Sequence, residues 1–245
     1  MAKKLIDLVG ITKSYGDKVI LDDMNLFMNE NRFLTLLGPS GCGKTTTLRI
    51  IGGFETPDKG KVIFDGKDIT SMPPNERNLN TVFQKYALFT HMNIEENIAF
   101  GLKIKNKSKS YIKDKIKYAL KLVNLDGFEK RMPDSLSGGQ QQRTSIGRAI
   151  IKNPDILLCD EPTGALDSKA TDSILALFNQ INEDGQTILM VTHSIKAASH
   201  AKRVLFIKDG EVFHQLYRGD MSTEELYAKI SDTLTILTTG GERHE

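Results

Sequence analysis

The stretch RFLTLLGPSGCGKTTTLRI, residues 32–50, decides the fold that we predict for this chain. Its first part, RFLTLL, is a largely apolar run that ends at Gly38, which is typical of a buried parallel strand. A helix is expected from about Gly43 to Ile51, closed by the glycine pair at 52–53. The segment between strand and helix contains a glycine, four further residues, and then glycine, lysine and threonine. This is the pattern of a phosphate-binding loop in its required context.

The residue types of this loop fit the chemistry of a nucleotide. Glycines allow backbone N–H groups to close around a β-phosphate, Lys44 supplies a positive charge to the β- and γ-oxygens, and the Thr45 hydroxyl can bind Mg²⁺. An ordinary glycine turn is the alternative interpretation. The residues expected to contact nucleotide are Gly38, Pro39, Ser40, Gly41, Cys42, Gly43, Lys44, Thr45 and Thr46.

Two further strand ends carry polar side chains. The run ILLCDE, residues 156–161, ends in two carboxylates, and α/β sheets bind ligands at the carboxyl ends of their strands. Asp160 is expected to hold Mg²⁺, directly or through water, and Glu161 to act on the attacking water as general base or polarising group. The alternative is a charged strand end that only caps the next helix. His193 follows the strand QTILMVT and is predicted to sense the γ-phosphate, although a lone histidine there is more often structural.

A second glycine-bearing stretch, LSGGQQQR, spans residues 136–143. Ser137 and Gln140 have the spacing of a capping box, so one interpretation is simply a well-started helix. Gly138 and Gly139 weaken this interpretation, because each glycine costs on the order of 1 kcal/mol of helix stability relative to alanine. Their presence predicts that something approaches the backbone closely, and an anion at the helix N-terminus is the natural candidate.

Composition limits the class of protein. The 245 residues suffice for one large domain or for a core with a subdomain. The formal net charge of +2 argues against a protein that mainly binds nucleic acid. No run approaches the about 18 apolar residues of a membrane span, and the N-terminus lacks a signal-peptide core, so a cytosolic location is expected. The two cysteines, Cys42 and Cys159, are interpreted as packing residues.

The order of predicted elements indicates one α/β core interrupted by helices. Short β-rich runs dominate up to residue 91, helical spacing prevails over 92–151, and strands and helices alternate again over 152–219. A tail over 220–245 follows, with one helix expected around STEELYAKI. Lysines are concentrated in residues 103–121, where a solvated helix face is the simplest interpretation and contact with anionic lipid or a membrane partner is the alternative.

The motifs GPSGCGKTT, LSGGQ and ILLCDEP, followed by ALD at 165–167 and by His193, occur in an order that resembles the ATP-binding subunits of ABC transporters. The resemblance covers residues 4–215. It implies an α/β fold with a P-loop NTPase (RecA-like) core, an N-terminal antiparallel β subdomain and an inserted helical subdomain. The implied limits are 4–219 for the ATP-binding domain, 4–91 and 152–219 for its core, 92–151 for the helical subdomain and 220–245 for a short tail.

The resemblance also implies how two copies cooperate. In that family the LSGGQ of one subunit completes the ATP site of another, which implies a head-to-tail homodimer. Tyr15 in KSYG resembles the aromatic residue that stacks on adenine, and Gln84 in TVFQKYALF resembles the residue that reaches Mg²⁺ and the attacking water. Asp167 resembles the residue that signals across the dimer. The residues implied to contact the partner's ATP are Ser137, Gly138, Gly139 and Gln140.

The same resemblance implies the reaction and the partners. The reaction is ATP hydrolysis by in-line attack of water, coupled to transmembrane transport, with ATP and Mg²⁺ bound. The implied partners are a second ATP-binding subunit, transmembrane permease subunits and a solute-binding protein, with no nucleic acid, at the cytoplasmic face of a bacterial membrane. The implied catalytic residues are Lys44, Gln84, Glu161 and His193, and the implied Mg²⁺ ligands are Thr45, Gln84 and Asp160.

Two subfamilies are resembled by different parts of the chain. Residues 1–143 resemble polyamine (spermidine/putrescine) importer ATPases, whereas the sequence from 144 onward is more similar to small ATPases of bacitracin-type peptide export and resistance systems. A hybrid chain is therefore one interpretation. Importer ATPases of this kind continue into a β-rich regulatory domain, whereas this chain ends at Glu245. We expect an importer-like membrane interface, because the Gln84 loop and the helical subdomain lie in the importer-like part. Peptide export and non-transport membrane signalling are the alternatives.

Overall fold

Residues 3–239 are described in a computed structural model of the chain, and they form ten β-strands and seven α-helices. The strands are β1 (Lys4–Tyr15), β2 (Lys18–Asn29), β3 (Phe33–Leu37), β4 (Lys59–Phe64), β5 (Lys67–Asp68), β6 (Leu79–Val82), β7 (Ile156–Asp160), β8 (Thr187–Thr192), β9 (Arg203–Lys208) and β10 (Glu211–Tyr217). The helices are α1 (Lys44–Gly52), α2 (Ile94–Ile104), α3 (Lys109–Leu122), α4 (Gly138–Ile150), α5 (Ser168–Glu183), α6 (Ile195–Ala198) and α7 (Thr223–Thr239).

These elements divide into two units. The first unit comprises the described parts of residues 1–71 and 189–245, and the second unit comprises residues 72–188, so the division falls inside β8. The limits of the units differ from the domain boundaries expected at 91 and 151, which stay a prediction.

The first unit contains two sets of paired strands. In the order β2-β1-β4-β5 the strands are antiparallel, and in β2 the buried residues Met24, Leu26 and Met28 alternate with more exposed ones, as in a sheet with one solvated face. In the order β10-β9-β3-β8, strand β3 runs parallel to β9 and is buried along its whole length. The predicted buried parallel strand before the glycine loop is therefore confirmed.

The second unit places two parallel strand ends side by side. β6 pairs with β7 in parallel, and Val82 lies opposite Cys159. Gln84 and Glu161 each come two residues later, so both follow the same edge of this strand pair. Helices α2, α3 and α4 pack against one another, and α4 also contacts α5.

The C-terminal helix and the cysteines complete the description. α7 is longer than expected and buries Leu226 and Ile230, whereas residues 240–245 of the predicted tail lie outside the described residues. Within residues 3–239, no helix has the length and hydropathy that crossing a bilayer requires.

Cys42 and Cys159 are free and buried, and burial raises the pKa of the Cys159 thiol, which keeps it protonated and unreactive.

Candidate active site

The loop between β3 and α1 closes around the side chain of Lys44. Leu37, the last residue of β3, pairs with Phe206, which fixes where the loop begins. The Nζ of Lys44 donates hydrogen bonds to the carbonyl oxygens of Gly38 and Pro39, both at 2.7 Å. Because only 6% of Lys44 is exposed, its charge is held inside the loop by carbonyl dipoles.

Two further features of the loop require glycine. Gly41 and Gly43 have φ angles of +82° and +101°, a region in which other residues are strained. A methyl group on Gly43 would also collide with the side chain of Leu21, and one on Gly38 would collide with the carbonyl oxygen of Ile207. Helix α1 then begins at Lys44 without a side-chain cap. Glycine therefore avoids a steric collision at Gly38 and Gly43 and backbone strain at Gly41 and Gly43.

Tyr15 lies beside this loop. Its hydroxyl group hydrogen-bonds to the side chains of Glu55 and Thr46, and 47% of the residue is exposed. Partial burial and the hydrogen bond to Glu55 raise the pKa of Tyr15. The structure thus brings the predicted adenine-stacking residue into contact with Thr46, the last residue of the predicted nucleotide loop.

An ionic network, which sequence reasoning missed, supports Tyr15. The Nζ of Lys13 lies 5.3 Å from the centre of the Tyr15 ring, 3.1 Å from Glu55 Oε1 and 3.4 Å from Asp58 Oδ1. Partial burial disfavours the charged form of Lys13, but the hydrogen bonds to Glu55 and Asp58 raise its pKa overall. The hydrogen bond from Lys13 lowers the pKa of Glu55. The residues are some forty positions apart, so no local sequence pattern could have revealed the network.

In the second unit, Gln84 and Glu161 come close to one another through Gly164. A methyl group on Gly164 would lie only 2.8 Å from Gln84 Nε2, and the Gly164 N–H donates to the Glu161 carbonyl oxygen at 3.0 Å. Glu161 itself has a φ of +47°, which for a residue other than glycine costs on the order of 1–2 kcal/mol. The predicted water-activating carboxylate is thus held in a left-handed conformation directly after β7.

Gln142, on α4, connects these two segments and was also missed. Its Nε2 donates to the Pro162 carbonyl oxygen at 2.7 Å and more weakly to the Phe83 carbonyl oxygen at 3.5 Å. Pro162 follows Glu161, and Phe83 precedes Gln84. The side chain is fully buried, and within the described residues its Oε1 has no hydrogen-bond partner. The available sequence signal was the run of three glutamines at 140–142, which continues LSGGQ into the helix.

The LSGGQ stretch forms the capping box that its spacing predicts. Gln140 Oε1 accepts a hydrogen bond from the Ser137 N–H at 3.0 Å, and Ser137 Oγ accepts one from the Gln140 N–H at 3.4 Å. The close approach expected at the two glycines is made by the chain itself. A methyl group would lie 2.7 Å from Tyr86 Oη at Gly138 and 3.1 Å from Ala170 Cβ at Gly139. Contact of this helix start with an anion remains a prediction.

The other predicted site residues lie at element ends. Asp160 is half-buried at the end of β7, and Asp167 caps α5 by accepting a hydrogen bond from the Ala170 N–H at 2.8 Å. His193 is exposed and follows β8, the strand next to β3. Tyr15, the glycine loop and His193 belong to the first unit, whereas Gln84, the LSGGQ stretch, Asp160, Glu161 and Asp167 belong to the second.

The donor atoms available for a metal are few. Over residues 3–239, no group of three or more His, Cys, Asp and Glu side chains could hold a metal ion on its own. The predicted Mg²⁺ ligands are a hydroxyl, an amide and a carboxylate, from Thr45, Gln84 and Asp160. Mg²⁺ is commonly bound by one or two carboxylates together with substrate phosphates, so this donor set fits a metal that arrives with a nucleotide.

The family model and the individual relatives that match this sequence indicate the same family. Residues 21–164 match the family model described as ABC transporter. The chain is 50% identical over 230 residues to the spermidine/putrescine import ATP-binding protein PotA of Acetivibrio thermocellus, covering 93% of this chain and 65% of the relative. It is 54% identical over 199 residues to PotA of Clostridioides difficile, covering 81% of this chain and 57% of the relative. The chain therefore spans about two thirds or less of the length of these relatives.

Solved structures resemble most of the chain. The dimeric structure of MJ0796, described as a bacterial ABC transporter cassette, is 37% identical with a TM-score of 0.78, covering 87% of this chain and 98% of that one. A second structure of MJ0796 is described as a post-hydrolysis state bound to ADP and phosphate. The cbiO1 protein of Clostridium perfringens, part of the cbiONQ transporter complex, has a TM-score of 0.84 at 23% identity, covering 96% of this chain and 94% of that one, and supports the fold alone.

Proposed function

The chain belongs to the ABC transporter family, and from this premise we propose that it binds ATP with Mg²⁺ and hydrolyses the ATP to drive transport across a membrane. The observation that carries the proposal is the buried Lys44 ammonium within its glycine loop. ATP phosphate oxygens would replace the carbonyl oxygens of Gly38 and Pro39 as partners of Lys44, because an ionised acceptor forms the stronger hydrogen bond.

The residues of the first unit bind the nucleotide. Backbone N–H groups of the glycine loop and of the start of α1 face the phosphates, and the Tyr15 ring stacks on the adenine. The Lys13–Glu55–Asp58 network holds that ring beside Thr46. His193 contacts the γ-phosphate. Stacking accepts any base, so weak base specificity is expected.

The residues of the second unit act on water. Glu161 accepts a proton from the attacking water or polarises it, and Gln84 orients the water. The proposed Mg²⁺ ligands are Gln84 and Asp160 of this unit and Thr45 of the first unit, and the ion would supply positive charge to the phosphate oxygens. The strained Glu161 backbone supports this role, because strained residues are found preferentially at functional sites.

The LSGGQ stretch acts on the ATP of a second copy. In a head-to-tail homodimer, Ser137 and the glycine N–H groups approach the partner's γ-phosphate, and Asp167 senses whether that phosphate is present. Each ATP then bridges two subunits, and hydrolysis removes the bridge. ATP thereby shifts the population between open and closed dimers.

The ATPase proposal is tested with the purified chain. Lys44→Ala should abolish phosphate release from Mg²⁺–ATP, whereas Lys18→Ala, at an exposed position on β2, should leave it unchanged. Glu161→Gln should still bind ATP but accumulate as a dimer, and Ser137→Arg should block that dimer while sparing ATP binding. Brisk turnover by Glu161→Gln would contradict its role, and an equal loss of binding and dimerisation in Ser137→Arg would indicate that LSGGQ acts within one subunit.

For the transported substrate we propose polyamines, taken up through permease subunits with the help of a solute-binding protein. The support is the similarity to relatives named as spermidine/putrescine import proteins, which extends over 93% of this chain. The protein would act at the cytoplasmic face of the membrane. ATP-dependent spermidine uptake by proteoliposomes that contain the chain and its permease is the expected result. Uptake of another solute, peptide export, or no transport despite ATPase activity would each contradict polyamine import.

A further inference from the structure

We propose that the outer face of α3 binds the anionic headgroups of a lipid bilayer. Residues 103–121, called here the basic segment, contain eight lysines and one aspartate. The segment thus carries a net charge of +7, and the remainder of the chain carries −5, although the whole chain carries +2. This inference goes beyond the proposed ATPase and transport functions.

The charge of the basic segment is largely exposed to solvent. Seven of its eight lysines are exposed, and the eighth, Lys115, is half-buried. Within the described part of the chain, none of the eight lies within salt-bridge distance of a carboxylate. Such a concentration of like charges repels itself unless an anion neutralises it. The exposed positive charge therefore favours an anionic counterpart outside the chain.

The side chains between the lysines indicate which anionic surface is bound. Tyr111 and Tyr118 project from α3 and are 41% and 57% exposed. Each lies one helical turn from Lys115, so the three side chains share one face of the helix. The Nζ of Lys115 lies 5.7 Å and 5.9 Å from the centres of the two rings, and that of Lys107 lies 6.0 Å from the Tyr111 ring. Ile104 adds a 65% exposed apolar side chain before the helix.

This mixture favours a lipid surface over a purely ionic partner. Tyrosine rings have an apolar body and a polar tip, and they concentrate at the boundary between headgroups and acyl chains. Lysine stems can lie along apolar surface while their ammonium groups reach phosphates. The opposite face of α3, with Ile116, Ala119 and Leu120, is buried within the second unit. α3 is thus anchored to the protein on one side and chemically suited to a bilayer surface on the other.

Vesicle flotation of the full chain tests the proposal. We expect binding to phosphatidylcholine vesicles that contain phosphatidylglycerol, weaker binding at high salt, and none to phosphatidylcholine alone. Each lysine near the surface contributes about a fivefold gain in affinity, so the triple variant K107E/K113E/K117E should lose more than about 100-fold. The control variant K59E/K67E/K202E changes the charge equally at exposed positions elsewhere and should bind normally. Equal loss in both variants would contradict the proposal, because the whole-chain charge would then explain it.

A fluorescence measurement identifies the contact directly. The chain contains no tryptophan, so Tyr118→Trp introduces a single reporter. Its emission should shift to shorter wavelength with phosphatidylglycerol vesicles, whereas Tyr227→Trp on α7, 45% exposed, should not respond. An unshifted Tyr118→Trp, or a response to poly-uridylate RNA in place of vesicles, would overturn the proposal. ATP hydrolysis by K107E/K113E/K117E, measured without lipid, should match that of the unchanged chain, which separates this proposal from the ATPase assignment.

Discussion

Helices α1 and α4 both have a pair of glycines near their N-terminus, and the two pairs have different structural roles. Before α1, Gly41 and Gly43 have positive φ angles, and the helix starts without a side-chain cap. At α4, Gly138 and Gly139 have ordinary helical conformations, and Ser137 caps the helix. Before α1, glycine is favoured because the backbone adopts positive φ angles. At α4, glycine is favoured because a neighbouring side chain occupies the space that a Cβ atom would need.

The difference shows what a glycine motif can and cannot reveal. A glycine with positive φ leaves N–H groups available for a ligand, as in the loop around Lys44. A helical glycine next to Tyr86 or Ala170 is already explained by internal packing. The ligand at α4 therefore has to be argued from the family resemblance and tested, whereas the loop at α1 has the shape of a binding site in itself.

The largest effect is expected for Gly43→Ala. The positive φ and the collision with Leu21 together should lower the free energy of unfolding by about 3 kcal/mol and abolish ATP binding. Urea unfolding and titration with a fluorescent ATP analogue measure the two effects. Gly41→Ala is the matched control: its φ is also positive, but the space around it is open, so about 1 kcal/mol is expected. Similar losses in both variants would mean that the collision contributes nothing.

Gln142→Met should have the next largest effect and tests whether α4 positions its neighbours. The variant keeps the side-chain volume but removes the donors to Pro162 and Phe83, which should cost about 1–2 kcal/mol of stability. The kcat for ATP should fall more than the KM changes, because Glu161 and Gln84 flank the two carbonyl groups. Gln141→Met, one residue earlier on α4, is the control. A kcat equal in both variants would restrict Gln142 to a structural role.

Gly138→Ala tests the packing explanation with a smaller effect. Its methyl group would press on the Tyr86 hydroxyl, but alanine also favours the helix by about 1 kcal/mol, so the net change in stability should be near zero. In a Tyr86→Phe background the obstacle is removed, and the same substitution should stabilise by about 1 kcal/mol. Thermal unfolding of the four proteins measures this coupling. Independent effects of the two substitutions would contradict packing as the reason for glycine.

The smallest effect is a pH dependence confined to the region around Tyr15. The folded pKa of Glu55 is lowered from its ordinary value of 4.5 by Lys13. Its contribution is therefore present above pH 4.5 and is lost as pH falls through the lowered pKa. Glu55→Gln should remove a few tenths of a kcal/mol of the acid-induced destabilisation. Glu96→Gln, which removes a carboxylate from the capping box of α2 instead, is the control variant. If the free energy of unfolding of Glu55→Gln had the same pH dependence as that of the unchanged chain, the ionic role of Glu55 would be contradicted.

Local sequence was sufficient for some features and not for others. RFLTLLGPSGCGKTT predicted the buried strand, the loop and α1, because periodicity and glycine spacing are properties of neighbouring residues. The capping box at Ser137 was predicted for the same reason. The Gln142 contacts to Phe83 and Pro162 could not be predicted, since they depend on how distant segments pack.

Backbone strain at Glu161 could not be predicted from the sequence either. Glu161 adopts a left-handed conformation directly after β7, and its residue type does not predict this conformation. The interpretation of Gly138 as evidence for an anion was incomplete for a related reason. The Tyr86 hydroxyl comes from a segment more than fifty residues away, and only the folded chain brings it to the helix start.

The carbonyl partners of Lys44 also bear on how products leave. When a phosphate-bearing molecule departs, the ammonium group does not become a bare buried charge, because two oxygen atoms of its own loop accept its hydrogen bonds again. Release is therefore less costly than it would be for a lysine with no alternative partner. The loop is suited to repeated exchange of a phosphate-bearing ligand rather than to its permanent retention.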